Sequence, residues 1–302
     1  MIKRILNKLE SIYYYKYFSS VKDGASNTLL KKIYKSTDID FIQKVFHLDF
    51  FREIIEPMEY EIKANKNVIV FAPHQDDELI GLGGTLIQLK NKGAAITLVF
   101  LTDGADLVNQ SETVQIRSLE SQKVARELNA SIINIGIPND TMEVNFEHLN
   151  KIRNILLSQK WDDVFCIWPI DNPPKHRICA FLLGKVISKM ELNLILYSVH
   201  TDLIPNLYSN ITKQIIDKEL LIKIYKSQLS AQAYNHLAQS RDGWNSRFLP
   251  VSCEKRYVEL FYKVSKNEYM KLMKIFEQVN THELFKGNEN CIKTFHFISK
   301  NF

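Results

Sequence analysis

Between Asn67 and Tyr197 the chain alternates short, wholly apolar runs with longer stretches that are apolar on one side only. Val68 to Phe71 is the first run, Gly83 to Lys92 reads as a helix, and Ile96 to Leu101 is a second run, which together predict a β-α-β unit. Thr113 to Asn129 follows as an amphipathic helix with Ile116, Leu119, Val124 and Leu128 on its apolar side. Ser131 to Ile135, Val164 to Trp168 and Leu192 to Tyr197 continue as strands, with helices over Phe146 to Gln159 and His176 to Met190 between them. Strands that are apolar throughout are covered on both faces. The pattern therefore predicts an α/β fold, a Rossmann-like parallel sheet with helices on both faces. In such sheets ligands bind beyond the carboxyl ends of the strands.

Composition changes this picture little. A chain of 302 residues with 45% hydrophobic content has ample material for one packed domain. The net charge of +5 is spread out, with acids between the basic residues, and no nucleic-acid motif accompanies it, so a nucleic-acid partner is not expected. Cys166, Cys179, Cys253 and Cys291 form no C-x-x-C pair, which points away from a disulfide framework and toward a reducing, cytoplasmic setting. No stretch reaches the roughly 18 apolar residues of a membrane span. The start differs in character: residues 1 to 35 carry eight Lys/Arg against two acids, around a Tyr-Tyr-Tyr-Lys-Tyr-Phe cluster. The expected division is a basic, aromatic, helical arm over 1–60 and the main domain over 61–302. Such an arm either packs as a surface helix or attaches peripherally to the anionic inner membrane surface.

The candidate chemistry lies in "NVIVFAPHQDDELIGLGG", residues 67 to 84. Its glycines suggest a phosphate-binding loop, but G-x-G-G is not the full dinucleotide fingerprint, and Asp76, Asp77 and Glu78 would repel the phosphates. A divalent cation accounts for the acids better, because it offsets their mutual repulsion. His74 and Asp77 are close enough in sequence to share one ion. Consecutive side chains diverge, so of Asp76 and Asp77 one is expected to be a ligand and the other a free carboxylate able to take a proton from water. His176, in the loop "PIDNPPKHR" beyond the strand "VFCIW", reaches the same edge, although spacing alone does not select it among eight histidines.

"APHQDDELIGLGG" resembles the signature of the LmbE/PIG-L family of zinc-dependent de-N-acetylases, Ala/Pro-His-x-Asp-Asp-Glu followed by a Gly-rich helix start. "LTDGAD", "IRSLESQKVARELNA", "IGIPND", "PKHR", "KIYKSQ" and "YVELF" resemble later family motifs in the same order, so the likeness runs from about residue 64 to 263. It implies an LmbE-like fold and one zinc ion held by His74, Asp77 and His176, with Asp76 as general base. It also implies removal of an N-acetyl group from an amino-sugar conjugate. Arg117 would bind substrate, a salt bridge to Glu120 being the structural alternative; Asp103 would contact sugar hydroxyls, or simply shape an Asp-Gly turn. The chain departs from the family's His-Pro-Asp-His at the distal site, where the first His helps the oxyanion and the Asp supports the catalytic residues. Here the residues are Pro173-Pro174-Lys175-His176, leaving Lys175 or Asn172 as the expected oxyanion support. An amidase for a different acyl group and a catalytically silent zinc- and sugar-binding protein are the alternatives.

Overall fold

The computed structural model describes residues 7–10, 12–13, 57–105, 110–187, 190–278, 282, 285 and 289–301. The chain divides into two units, Met1–Glu56 and Pro57–Phe302. The basic arm lies almost entirely outside the described residues; of it, residues 7–10 and 12–13 are helical.

The second unit is built on one eight-stranded sheet: β1 (Met58–Glu59), β2 (Asn67–Ala72), β3 (Ala95–Thr102), β4 (Ala130–Ile137), β5 (Asp163–Ile167), β6 (Leu194–Tyr197), β7 (Leu207–Asn210) and β8 (Val258–Val264). Their order is β1-β7-β8-β6-β5-β2-β3-β4. Every pairing is parallel except the two made by β8, which runs against β6 and β7. The late "YVELF" stretch is thus the antiparallel element of a mostly parallel sheet.

Four helices connect the central strands: α1 (Asp77–Asn91), α2 (Gln110–Leu128), α3 (Phe146–Leu157) and α4 (Pro174–Ile187). Steps from β2 to β3 to β4 run one way along the sheet, and those from β4 to β5 to β6 run the other way. Right-handed crossovers then place α1 and α2 on one face and α3 and α4 on the opposite face, in agreement with the packing of α1 against α2 and of α3 against α4. The chain reverses between β2 and β5, and this is the switch point at which such sheets open a crevice. The later helices are α5 (Ile215–Ile222), α6 (Lys226–Leu229), α7 (Tyr234–Asn245), α8 (Lys266–Gln278) and α9 (Glu289–Asn301); α5 and α7 join α1, while α8 and α9 join α4. Among the described residues no helix is long and apolar enough to cross a membrane.

Two expectations shift. The first helix begins at Asp77, six residues ahead of Gly83, with a break at Leu82, whose φ of −148° is not helical. The glycines serve packing here. A Cβ on Gly81 would lie 2.3 Å from the Tyr197 ring, and one on Gly84 would lie 2.6 Å from Ile211, so only bare backbone fits that close to its neighbours. In α2 the inward face carries Glu120, Ser121, Val124, Ala125 and Leu128, while Ile116 and Leu119 are exposed. A stripe drawn through Val124 and Leu128 at helical spacing passes through Arg117 rather than Ile116, and Arg117 is accordingly half-buried.

Candidate metal centre

The β2–α1 turn is pinned from outside. The Pro73 carbonyl accepts the Thr102 N–H at 3.1 Å and its hydroxyl at 2.8 Å, which ties the turn to β3. Asp76 then adopts a φ of 125°, a conformation that L-residues rarely take and that costs about 1–3 kcal/mol. It is held there by Glu78, whose Oε2 accepts the Asp76 N–H at 3.0 Å while Oε1 accepts the Tyr225 hydroxyl at 2.6 Å. This twist separates the two aspartates. Asp77 stays at the helix start, where His74 N–H donates to its Oδ2 at 2.9 Å.

β5 is the direct neighbour of β2, with Val68 paired to Asp163 and Val70 to Phe165, so the loop after β5 faces the loop after β2. Pro174 opens α4, a position where its missing N–H costs nothing, and this puts His176 in the first turn. His74 Nδ1 lies 3.2 Å from Asp77 Oδ2 and 3.2 Å from His176 Nε2, and His176 Nε2 lies 3.3 Å from the same Asp77 oxygen. Ligand atoms of the three all fall within 4.8 Å of one another.

Hydrogen bonds behind the imidazoles decide which nitrogens face inward. Asn139 donates its Nδ2 to the Ala105 carbonyl at 2.8 Å, so its Oδ1 is the atom 2.9 Å from His74 Nε2, and that nitrogen carries the proton. Asp171 Oδ2 accepts from His176 Nδ1 at 2.9 Å. His74 Nδ1 and His176 Nε2 therefore turn lone pairs toward each other and toward a carboxylate. Three convergent lone-pair donors of this kind fit a divalent cation, and carboxylate- or amide-backed imidazoles are the usual mounting of such ligands.

Charge tells the same story. The site is buried; burial would raise the Asp77 carboxyl, but His176 and then His74 outweigh it and hold it below the usual range. Burial, followed by repulsion from Asp77 and Glu78, pushes Asp76 well above the ordinary carboxylate value, with Arg117 opposing. Glu78 is pushed by burial up to about 7. His176 is lowered by burial but raised overall by Asp77 and Asp171. Two carboxylates around one imidazole call for positive charge, which a proton or a metal ion can supply.

The remaining predicted residues fall as follows. Arg117 stands beside this cluster on α2 with a buried Nε that has no hydrogen-bond partner. Glu120, the alternative partner, instead accepts the Ser227 N–H at 3.0 Å and its hydroxyl at 2.6 Å, joining the "IRSLES" and "KIYKSQ" stretches. Asp103 Oδ1 accepts the N–H groups of Ala105 and Asn139, both at 2.9 Å, so it shapes its own turn and seats Asn139. Lys175 donates to the Asn139 carbonyl. Asn172 is exposed and accepts from Arg177 at 3.1 Å.

Four contributors were not singled out by sequence reasoning: Asp171, Asn139, Tyr225 and His200. Asp171 precedes His176 by five residues in the same loop, and Asn139 is the penultimate residue of the "IGIPND" motif, so both stood within quoted stretches. His200 lies against the His176 ring, with centroids 5.4 Å apart. Tyr225 also stands in a quoted stretch, "KIYKSQ", whereas nothing local marked His200, because its neighbours come from other elements.

Residues 69–187 match the PIG-L family model described as GlcNAc-PI de-N-acetylase. The chain is 28% identical over 158 residues to diacetylchitobiose deacetylase of Thermococcus kodakarensis; the match takes in 46% of this chain and 57% of that protein, so it spans less than two thirds of the relative's length. N,N'-diacetylchitobiose deacetylase from Pyrococcus horikoshii is a structural neighbour with TM-score 0.61 and 22% identity, covering 77% of this chain and 95% of its own. The 4-carboxy-2-hydroxymuconate hydratase GalB of Pseudomonas putida KT2440 has TM-score 0.57 and 16% identity, covering 66% and 96%. These two likenesses establish the fold, on which at least two different chemistries stand.

Proposed function

Because the chain carries a PIG-L family domain over residues 69–187, we propose that it is a zinc-dependent hydrolase that removes an N-acetyl group from an amino-sugar conjugate. The observation that carries this reading is the convergence of two inward lone pairs, His74 Nδ1 and His176 Nε2, on the Asp77 carboxylate, with a second carboxylate diverging beside them. His74, Asp77 and His176 would hold the ion. When bound, a divalent cation at this place supplies Lewis acidity toward an amide carbonyl and lowers the pKa of water.

Asp76 is the base. Its raised proton affinity, caused first by burial, suits a carboxylate that must take a proton from water and later return it. The water oxygen bonds to the acyl carbon, the carbon–nitrogen bond breaks, and the proton taken by Asp76 goes to the departing nitrogen. Acetate and a free amine result. The Glu78–Tyr225 clamp keeps the Asp76 backbone in its twisted form, so the carboxylate is aimed before substrate arrives. Arg117, with its unpartnered Nε, is suited to the sugar hydroxyls on the Asp76 side.

The test pairs metal content with acetate release from N,N'-diacetylchitobiose and other N-acetylglucosamine conjugates. Asp76→Asn should keep its zinc and lose at least about a hundredfold in rate, the usual scale for a general base. Zinc and sugar binding without turnover by the wild-type protein would point to a silent binding protein. Release of a different acyl group would point to an amidase for a different acyl amide.

A further inference from the structure

We propose that His200 is a further catalytic residue: its imidazole N–H donates to the carbonyl oxygen of the bound amide as that oxygen gains negative charge. This rests on the deacetylase reading above. The first observation is position. β6 lies beside β5, so the chain leaving β6 at Tyr197 passes over the same edge that carries His176. Asp171, the residue that mounts His176, also anchors this segment, since its Oδ1 accepts the N–H groups of His200 at 3.0 Å and Thr201 at 2.7 Å. One carboxylate therefore ties the His176 imidazole to the main chain at His200.

The second observation is orientation and access. The His200 ring sits 5.4 Å from that of His176 at an angle of 52°, and it meets Tyr234 edge-on at 6.1 Å. Two aromatic neighbours hold the ring without consuming its nitrogens. His200 is not one of the residues whose ligand atoms converge on the centre, yet it stands one ring away from them and is exposed to solvent. A group in that place touches what binds at the centre rather than the ion itself.

The third is elimination among donors. Lys175 is committed to the Asn139 carbonyl, and Asn172 is exposed and bound to Arg177. Arg117 stands near Asp76. Of these, only His200 adjoins the His176 ring, and a neutral imidazole carries an N–H in either tautomer. Donors fixed in advance where charge develops act mainly on the transition state.

The experiment uses the full-length, zinc-loaded protein with N,N'-diacetylchitobiose. His200→Phe keeps a ring and removes the donor. It should lower kcat by roughly a hundredfold, with KM and zinc content little changed. Affinity for a tetrahedral methylphosphonamide analogue of N-acetylglucosamine should fall by a similar factor, while affinity for glucosamine stays as it was. His200→Gln, which keeps an N–H, should recover part of both losses. Wild-type turnover in the Phe variant overturns the inference, as does an equal fall in both variants with the analogue still tightly bound, or loss of zinc from the Phe variant. If the wild-type protein releases no acetate, the deacetylase reading falls and takes this inference with it; active wild type with an indifferent Phe variant removes the inference alone.

Discussion

Helix α1 borders two buried clusters of charge, and they are built on opposite plans. Along its side, Lys218 donates to Asp242 Oδ2 at 2.6 Å, to the Ile80 carbonyl at 3.2 Å, and forms an ion pair with Glu259 Oε1 at 2.8 Å. Glu259 also accepts the N–H groups of Gly84 and Thr85 at 2.8 Å and the Thr85 hydroxyl at 2.6 Å, where the straight second segment of the helix begins. This cluster contains its own cation. At the start of the same helix, His74, Asp76, Asp77 and His176 assemble carboxylates and inward lone pairs with no lysine among them. Burial of charge is costly unless it is paired. The first cluster holds its cation within the chain, whereas the second brings together three ligand atoms of the kind that hold a divalent cation. A buried acid is thus a functional signal when its partner is missing, and a structural one when the partner is present.

The largest expected effect breaks the closed cluster. Lys218→Met should destabilise the protein by about 3–5 kcal/mol, because Asp242 and Glu259 would then lie buried without their cation. Thermal melts or denaturant titrations measure it. Adding Asp242→Leu should restore part of the loss, since it removes one of the two stranded carboxylates and leaves Glu259 with its donors from Gly84 and Thr85. A single variant that melts with the wild type would mean that the cluster is reached by water and the contrast drawn above is unsound.

Much of this contrast was legible before any coordinates. Continuous apolar runs fixed the strands of the parallel core, and the crowding of Asp76, Asp77 and Glu78 after one of them called for a cation. The first motif and its ordered successors pointed to the family whose model matches residues 69–187. What escaped has a common cause, which is dependence on contacts distant in sequence. The sequence starts the first helix at Gly83, six residues late, because the neighbours that require Gly81 and Gly84 to be bare, Tyr197 and Ile211, lie more than a hundred residues away. Ile116 and Leu119 were drawn into the apolar stripe of α2 because polarity alone does not show that Glu120 turns inward to Ser227. The acid that hydrogen-bonds His176 is Asp171, five residues before it, which the local sequence does not single out.

Asp171 offers the next test, now on the open cluster. It accepts His176 Nδ1–H and four further donors from Val199, His200 and Thr201. These donors outweigh its burial and keep its carboxyl below the usual range. Asp171→Asn should weaken zinc binding by roughly 10–100-fold, the usual cost of losing the group behind a ligand histidine. Competition with a fluorescent chelator reads this directly, and the rise in melting temperature on adding zinc should shrink in step. Unchanged affinity would show that His176 needs no mount. The same substitution in the closed cluster, Asp242→Asn, should leave zinc affinity unaltered.

That Asp242→Asn variant carries the smallest and most specific expectation, a difference in pH dependence. Burial, aided by Glu259 and opposed by Lys218, pushes the Asp242 carboxyl from the ordinary 3.8 up to about 6. Burial outweighs the pairing with Lys218, and one of the carboxylate oxygens, Oδ1, has no hydrogen-bond partner. Between these two values the folded protein holds a proton that the unfolded chain has released. Stability changes with pH as the protons bound in the unfolded state minus those bound in the folded state, a negative quantity here, so this group makes the protein less stable as pH rises through the window. Below it both states are protonated and above it both are ionised, and the contribution is flat. Asn has no proton to hold. Stability of the Asp242→Asn variant relative to wild type should therefore rise between about pH 4 and pH 6 and then level off, as followed by melting temperature at matched ionic strength. Parallel curves would place Asp242 at its ordinary value and make the Lys218 cluster fully closed, while a relative fall would reverse the sign and make Asp242 a carboxylate stabilised by its lysine.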